Sequence, residues 1–139
     1  MNTASYLKDL FGLDGKTAVV IGGTGELCGH MAMGLARAGA EVVLVGRDEV
    51  KANARLAEIE KIGGRGYFAH ADASDRSSLN ELLDSVVEQS GQVDILINGA
   101  GINSPTPLVE ITDEEAHRIF DINLVGVLRA CQVFGNYFL

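Results

Sequence analysis

Proline, cysteine and basic residues are all scarce in this 139-residue chain. It carries two prolines, two cysteines, and 11 Lys and Arg against 19 Asp and Glu, for a formal charge of −8. With so few prolines, and with 17 glycines spread over turn positions, it is not a linker or a low-complexity tract. The acidic balance argues against a nucleic-acid backbone or an anionic membrane surface as partner, because either needs a basic face. Cys28 and Cys131 lie far apart, without CxxC spacing or a neighbouring His cluster. Neither a disulfide framework nor a zinc site is indicated. His30, His70 and His117 do not pair at ligand spacing, so no metal is assigned. No apolar run approaches the roughly eighteen residues of a membrane span, and the N-terminus lacks a charged-then-apolar signal pattern. The expectation is a cytoplasmic protein with reduced thiols, built as one domain over residues 1–139.

What is present is an alternation of apolar runs and amphipathic stretches. Residues 5–11 form a short helical lead-in with Leu7, Leu10 and Phe11 on one side. Lys16 to Ile21 is an uninterrupted β-branched run, as in a strand covered on both faces. A glycine turn follows, and then Leu27, Met31, Leu35 and Ala38 repeat at helical spacing up to Gly39. Glu41 to Val45 predicts a second strand, and Asp48 to Ile62 a polar helix with Leu56, Ile59 and Ile62 inward. Gly66 to Ala71 and Val93 to Ile97 complete four strands, separated by a helix with Leu79, Leu82, Leu83, Val86 and Val87 on its apolar face. This alternation predicts an α/β fold, a doubly wound parallel sheet in the order 3-2-1-4. Thr112 and Glu115 make a capping box for a helix running nearly to Leu139. From Ile122 onward that helix has no wide polar face and requires cover on more than one side.

The chemistry centres on the glycine turn. Gly22 permits a tight turn, Gly25 permits backbone approach to a pyrophosphate, and the helix starting at Glu26 and Leu27 offers its amides to an anion. Glu26 opposes that anion unless its carboxylate points to solvent. A glycine-rich turn alone is also compatible with a mere turn; its place between a buried strand and a helix gives it weight. After the second strand stands Arg47, which suits a ribose 2′-phosphate and favours NADP(H). A plain surface arginine is the rival reading, and Asp48 beside it keeps NAD(H) open.

By the fourth strand these motifs resemble the short-chain dehydrogenase/reductase family. Val20-Ile-Gly-Gly-Thr-Gly-Glu-Leu-Cys-Gly29 resembles its glycine-rich loop, and Asp72-Ala73 its adenine-pocket acid. Asn98-Gly-Ala-Gly101 resembles its Asn-Asn-Ala-Gly motif, and Asn123-Leu-Val-Gly126 its helix asparagine. The resemblance covers residues from about Lys16 to the end and implies a Rossmann-like domain that binds a nicotinamide dinucleotide. It implies that Asp72 accepts from the adenine amino group and that the backbone of Asn98, Gly99, Ala100 and Gly101 lines the ribose and nicotinamide side. It also implies that Asn123 is the catalytic-site residue positioning a water in a proton relay. Each has a structural rival: Asp72 begins a turn before a helix capped by Ser74 or Asp75, and Asn98 ties strand four to its neighbours. Asn123 sits on an otherwise apolar face, where a buried amide needs partners.

The departures are specific. Ile21 stands where the family has threonine, Cys28 where it has glycine, and Gly99 where it has its second asparagine. The family's catalytic serine and Tyr-x-x-x-Lys are absent, and Tyr137 cannot fill that role. The expectation is therefore the N-terminal cofactor-binding part of a reductase acting on a small carbonyl or alcohol, inactive alone and lacking the family's later strands and helices. The lead-in and the Gly-Gly-Thr-Gly loop are similar to sugar or sugar-acid members. Alternatives are a non-catalytic nucleotide sensor or oligomerisation module, and an S-adenosylmethionine domain, against which Asn98 to Gly101 and Asn123 speak. The exposed apolar helix and the open side of strand four predict homo-oligomers through Thr112 to Leu139.

Overall fold

The computed structural model describes residues 2–139. In chain order it runs α1 (Thr3–Phe11), β1 (Thr17–Ile21), α2 (Glu26–Arg37), β2 (Glu41–Gly46), α3 (Glu49–Lys61), β3 (Arg65–His70), α4 (Arg76–Ser90), β4 (Ile95–Asn98), α5 (Asp113–Phe120), a π-helical segment (Asp121–Gly126) and α6 (Val127–Phe138). The strands form one parallel sheet in the order β3-β2-β1-β4, the predicted topology. Strand limits shift from the expected ones by one or two residues, which moves no side chain to the wrong face.

Both faces of the sheet are covered. Ala18, Val20, Val42 and Leu44 face α2 and α3, in a core with Ala32, Ala36 and Ile59. Val19, Ile21, Val43 and Val45 face α4 and α6, in a core with Leu79, Leu82, Val86 and Phe134. Successive strand residues point to opposite faces, so an unbroken apolar run serves both layers at once. The crossovers α2 and α3 lie on one face and α4 on the other, so the winding direction reverses between β1 and β4. A crevice opens at the carboxyl ends of the strands at such a switch point. Among the described residues β4 pairs only with β1, and it is half-buried where β1 is buried throughout.

Three side-chain expectations need correction. The buried stripe of α2 is Cys28, Gly29, Ala32 and Ala36, while Leu27 and Met31 are exposed. Small residues let the helix axis come close to the sheet, and the long side chains are left on its flank. In α3 Ile59 is buried with Ala52, whereas Ile62, beyond the last turn, is 38% exposed. Helix α1 buries none of its residues, although Leu13, just after it, donates to the Ala38 carbonyl and ties the lead-in to the end of α2.

The C-terminal helix is continuous but not regular. One extra residue per turn between Asp121 and Gly126 widens it, and Arg129 spans the widened turn by a bidentate pair to Asp121 at 2.9 and 3.3 Å. Gly126 lets the turn approach the β3–α4 connection: a Cβ there would lie 3.1 Å from the Ala73 carbonyl oxygen.

Candidate functional site: a cleft at the switch point

The cleft of about 270 Å³ at the carboxyl end of the sheet is assembled by the ends of all four strands. Its floor begins at Ile21 and Gly22. Gly22 has φ +81°, a left-handed conformation that glycine adopts without strain. A Cβ on Gly22 would also lie 2.7 Å from the Gly99 carbonyl oxygen, so this position excludes side chains twice over. Gly22 N–H donates to Val45 O at 2.9 Å, Gly23 N–H to Val20 O at 3.1 Å, and Gly25 N–H to Gly22 O at 2.9 Å. These bonds fold the turn back onto β1 and β2. Thr24, which the motif reading passed over, lines the cleft; its hydroxyl would stand 2.8 Å from a Cβ on Gly46, so glycine at the end of β2 admits it.

Helix α2 starts at this turn without a cap. Asn2, Asp48, Asp75 and Thr112 each accept a backbone amide at the start of α1, α3, α4 and α5, but Gly25 offers α2 no side chain. The first α-helical bond is Gly29 N–H to Gly25 O at 2.9 Å, which leaves the amides of Glu26, Leu27 and Cys28 as donors at the positive end of the helix. Neither Glu26 nor Leu27 lines the cleft with its side chain. The Glu26 carboxylate is 89% exposed and lies 3.6 Å from Arg55 and 3.9 Å from His30, turned away from the site. The electrostatic objection to Glu26 is therefore weakened by its orientation and by Arg55.

Across the turn stand Arg47 and Asp72, on the loops after β2 and β3, with Ala73 and Ser74. Asp72 Oδ1 accepts both the Ser74 amide (2.9 Å) and the Ser74 hydroxyl (2.7 Å). Those bonds hold its carboxyl below the ordinary carboxylate range, with Arg47 and His70 adding positive potential against partial burial. Asp72 thus braces the turn before α4, whose cap is Asp75, and lines the cleft as well. Arg47 is exposed and forms no ion pair among the described residues, whereas Asp48 is engaged by the Lys51 amide at 3.0 Å. On the far side Gly99, Ala100, Gly101 and Ile102 form the wall together with Ile122 of the π segment.

Comparison with known proteins matches residues 16–139 to the short chain dehydrogenase family. The chain belongs to that family. An uncharacterized oxidoreductase, UxuB, of Bacillus subtilis (strain 168) is 39% identical over 142 residues, which cover 91% of this chain and 51% of that protein. The crystal structure of a dehydrogenase/reductase from Sinorhizobium meliloti 1021 superposes with a TM-score of 0.88 at 32% identity, over 95% of this chain and 53% of that one. A 7α-hydroxysteroid dehydrogenase, complexed with NADH and 7-oxo glycochenodeoxycholic acid, superposes with a TM-score of 0.82 at 28% identity, over 96% and 50%. The chain spans about half the length of the curated relatives it matches.

Two motif residues do not face the cleft. Asn98 donates from Nδ2 to Val127 O at 2.9 Å, so its side chain ties β4 to α6, the structural alternative raised from the sequence. Asn123 is exposed, not buried as its apolar surroundings led us to expect. Its amide forms a reciprocal pair with the Ile102 backbone, accepting from N–H at 2.8 Å and donating to O at 2.9 Å. Both polar atoms of the Asn123 amide are thereby engaged in fixing the loop after β4. The capping box is half formed: Thr112 accepts the Glu115 amide at 3.2 Å, but the Glu115 carboxylate is drawn off to the hydroxyls of Ser104 and Thr106. Those bonds hold its carboxyl below the ordinary carboxylate range and brace the same loop from the other end. No side-chain cluster that would hold a metal ion occurs among the described residues. No helix there is long and apolar enough to cross a membrane.

Proposed function

We propose that this chain is the cofactor-binding domain of a longer short-chain dehydrogenase, one that transfers hydride between NADP(H) and a carbonyl or alcohol. The observation that carries the proposal is the uncapped start of α2, opening on a cleft that also presents Arg47 and Asp72. Free amides and the helix dipole suit a pyrophosphate, Asp72 suits the adenine amino group, and Arg47 suits a 2′-phosphate. The residues present thus fit a nicotinamide dinucleotide, which when bound supplies the hydride chemistry. The chain's own part is to bind and orient: Gly22 and Gly25 admit the pyrophosphate, the backbone from Gly99 to Gly101 forms the wall beyond it, and Asn123 acts as a positioning residue that holds Ile102 in place. Engagement of Asp48 as a helix cap favours NADP(H) over NAD(H). Sugars and sugar acids are the first substrates to try. Two free thiols are in keeping with a reducing cytoplasm.

Self-association is the second part of the proposal. Phe120, Leu124 and Leu128 are 63%, 64% and 54% exposed along the C-terminal helix. An apolar row of this kind supports packing against another copy through Thr112 to Leu139. Sedimentation of the full-length protein as a monomer at tens of micromolar would contradict it.

Fluorescence titration with NADPH and NADH tests the cofactor. Binding of NADPH with the higher affinity is expected, and Arg47→Asp should reduce its advantage about 10- to 100-fold, the loss of a charge-assisted contact. Absence of binding by either nucleotide at millimolar concentration removes the reading. Binding of both without turnover on any carbonyl by the full-length protein would favour the non-catalytic sensor.

A further inference from the structure

Two of the departures noted in the sequence meet in space. Cys28, in the first turn of α2, is 7% exposed, and its thiol reaches the Gly99 carbonyl oxygen at 4.0 Å across 71 residues of chain. A Cβ built on Gly99 would fall on the Cys28 sulfur. Nothing else stands so close: the Ile21 carbonyl oxygen is 3.4 Å from that Cβ, and the Cys28 Cβ is 3.7 Å from it, both tolerable contacts. Gly99 does not have a positive φ, so its backbone accepts an L side chain. The sulfur alone forbids one.

The Gly99 segment is held from two sides. The Gly99 carbonyl occupies the space that a Gly22 side chain would use, and Cys28 fills the space that a residue-99 side chain would use. Gly99 N–H is also bonded to the Ile21 carbonyl at 3.1 Å, at the end of β1, so the Cys28 sulfur adds the contact that sets the start of α2 against the wall formed by Gly99, Ala100 and Gly101. We infer that Cys28 and Gly99 are a matched pair, and that the Cys28 thiol is a positioning residue setting the Gly99–Gly101 wall against the phosphate-facing turn. The inference rests on the dinucleotide reading above for what the wall is positioned toward. Burial pushes the Cys28 thiol up from its ordinary range, which agrees with a packing group and not a nucleophile.

The test is a double-mutant cycle in the full-length protein with G99A, C28A and C28A/G99A. NADPH and 2′,5′-ADP are the ligands, and thermal unfolding is followed in parallel. Arg47 and Asp72 lie after β2 and β3, on the opposite side of β1 from Gly99, so 2′,5′-ADP reports the end of the cleft that Gly99 does not wall. G99A should weaken NADPH about tenfold while 2′,5′-ADP changes less than about twofold, and C28A/G99A should recover most of the loss, the sign of strongly coupled neighbours. Effects that multiply instead of cancelling would overturn the pairing. Equal losses for both ligands would overturn the positioning role and leave only a stability contact. If the unsubstituted protein bound neither ligand, the dinucleotide reading would fall and the positioning role with it. Cancellation in the unfolding temperatures would then bear on the Cys28–Gly99 packing alone.

Discussion

Ala32 and Ala36 cover one face of the sheet where Phe134, Leu79 and Leu82 cover the other. The small residues bring α2 close to β1 and β2, so its uncapped N-terminus is held in a fixed relation to the glycine turn. The large residues of α4 and α6 bury more apolar surface per side chain but do not set the position of the free amides at the start of α2. Placement is concentrated on the first face and cohesion on the second. That division predicts that stability and ligand affinity respond differently to substitutions on the two sides.

The largest stability effect belongs to the second face. Phe134 is fully buried against the sheet, and Phe134→Ala should cost about 3–5 kcal/mol by loss of burial and creation of a cavity. Denaturant titration reads the cost, and NADPH affinity of the remaining folded protein should be nearly unchanged. A parallel fall in affinity would break the division. Gly22→Val comes next. A valine there would be held at φ +81° with its Cβ 2.7 Å from Gly99 O, at a cost of about 1–3 kcal/mol for the backbone conformation alone. Here the loss of NADPH binding should exceed what the loss of stability accounts for, measured by titration of the folded fraction.

The same division explains what was legible in the sequence. Strand order followed from the alternation of four strands with amphipathic helices, and β1 and β2 were its plainest elements, because unbroken β-branched runs and glycine turns are signals a single segment carries by itself. Arg47 was picked out by its place just after the second strand and Asp72 by the family resemblance; both lie on loops at strand ends, which converge at the cleft. The buried stripe of α2 was not. Leu27 and Met31 repeat at the same spacing as Cys28, Ala32 and Ala36, one residue earlier, and only the closeness of the sheet selects the small set. The π segment leaves no periodic mark, since one added residue per turn depends on the Asp121–Arg129 pair and the Gly126 contact with Ala73. Thr24, Ser74, Ile102 and Ile122 entered the cleft through contacts between segments, which spacing along one segment does not encode.

A smaller effect tests the Asp72 end of the cleft by pH. The bonds from Ser74 depress the Asp72 carboxyl in the folded state. Its contribution is therefore complete above the unfolded carboxylate value of about 3.9, and it is lost as pH falls through the lower folded value. Urea unfolding of the native protein and of Asp72→Asn should differ most near neutral pH and converge below about pH 4. A difference that stayed constant down to pH 3 would mean that the charge of Asp72 does not matter to the turn.

The smallest expected effect sharpens the comparison from the exposed flank of α2. Leu27 is 71% exposed and Met31 43% exposed, so neither contributes much to the small-residue face that lies beside them. Leu27→Gln and Met31→Gln keep good helix formers in place and should each change stability by less than about 0.5 kcal/mol. The neighbouring Ala32→Leu, one residue away, is expected to be far more damaging, because Ala32 is fully buried and an added isopropyl group has no room between helix and sheet. Chemical denaturation of the three variants separates the two sides of one helix. If Leu27→Gln proved as costly as Ala32→Leu, the flank would have to be packed against something, and the exposed row of α2 would count as an interface of the full-length protein.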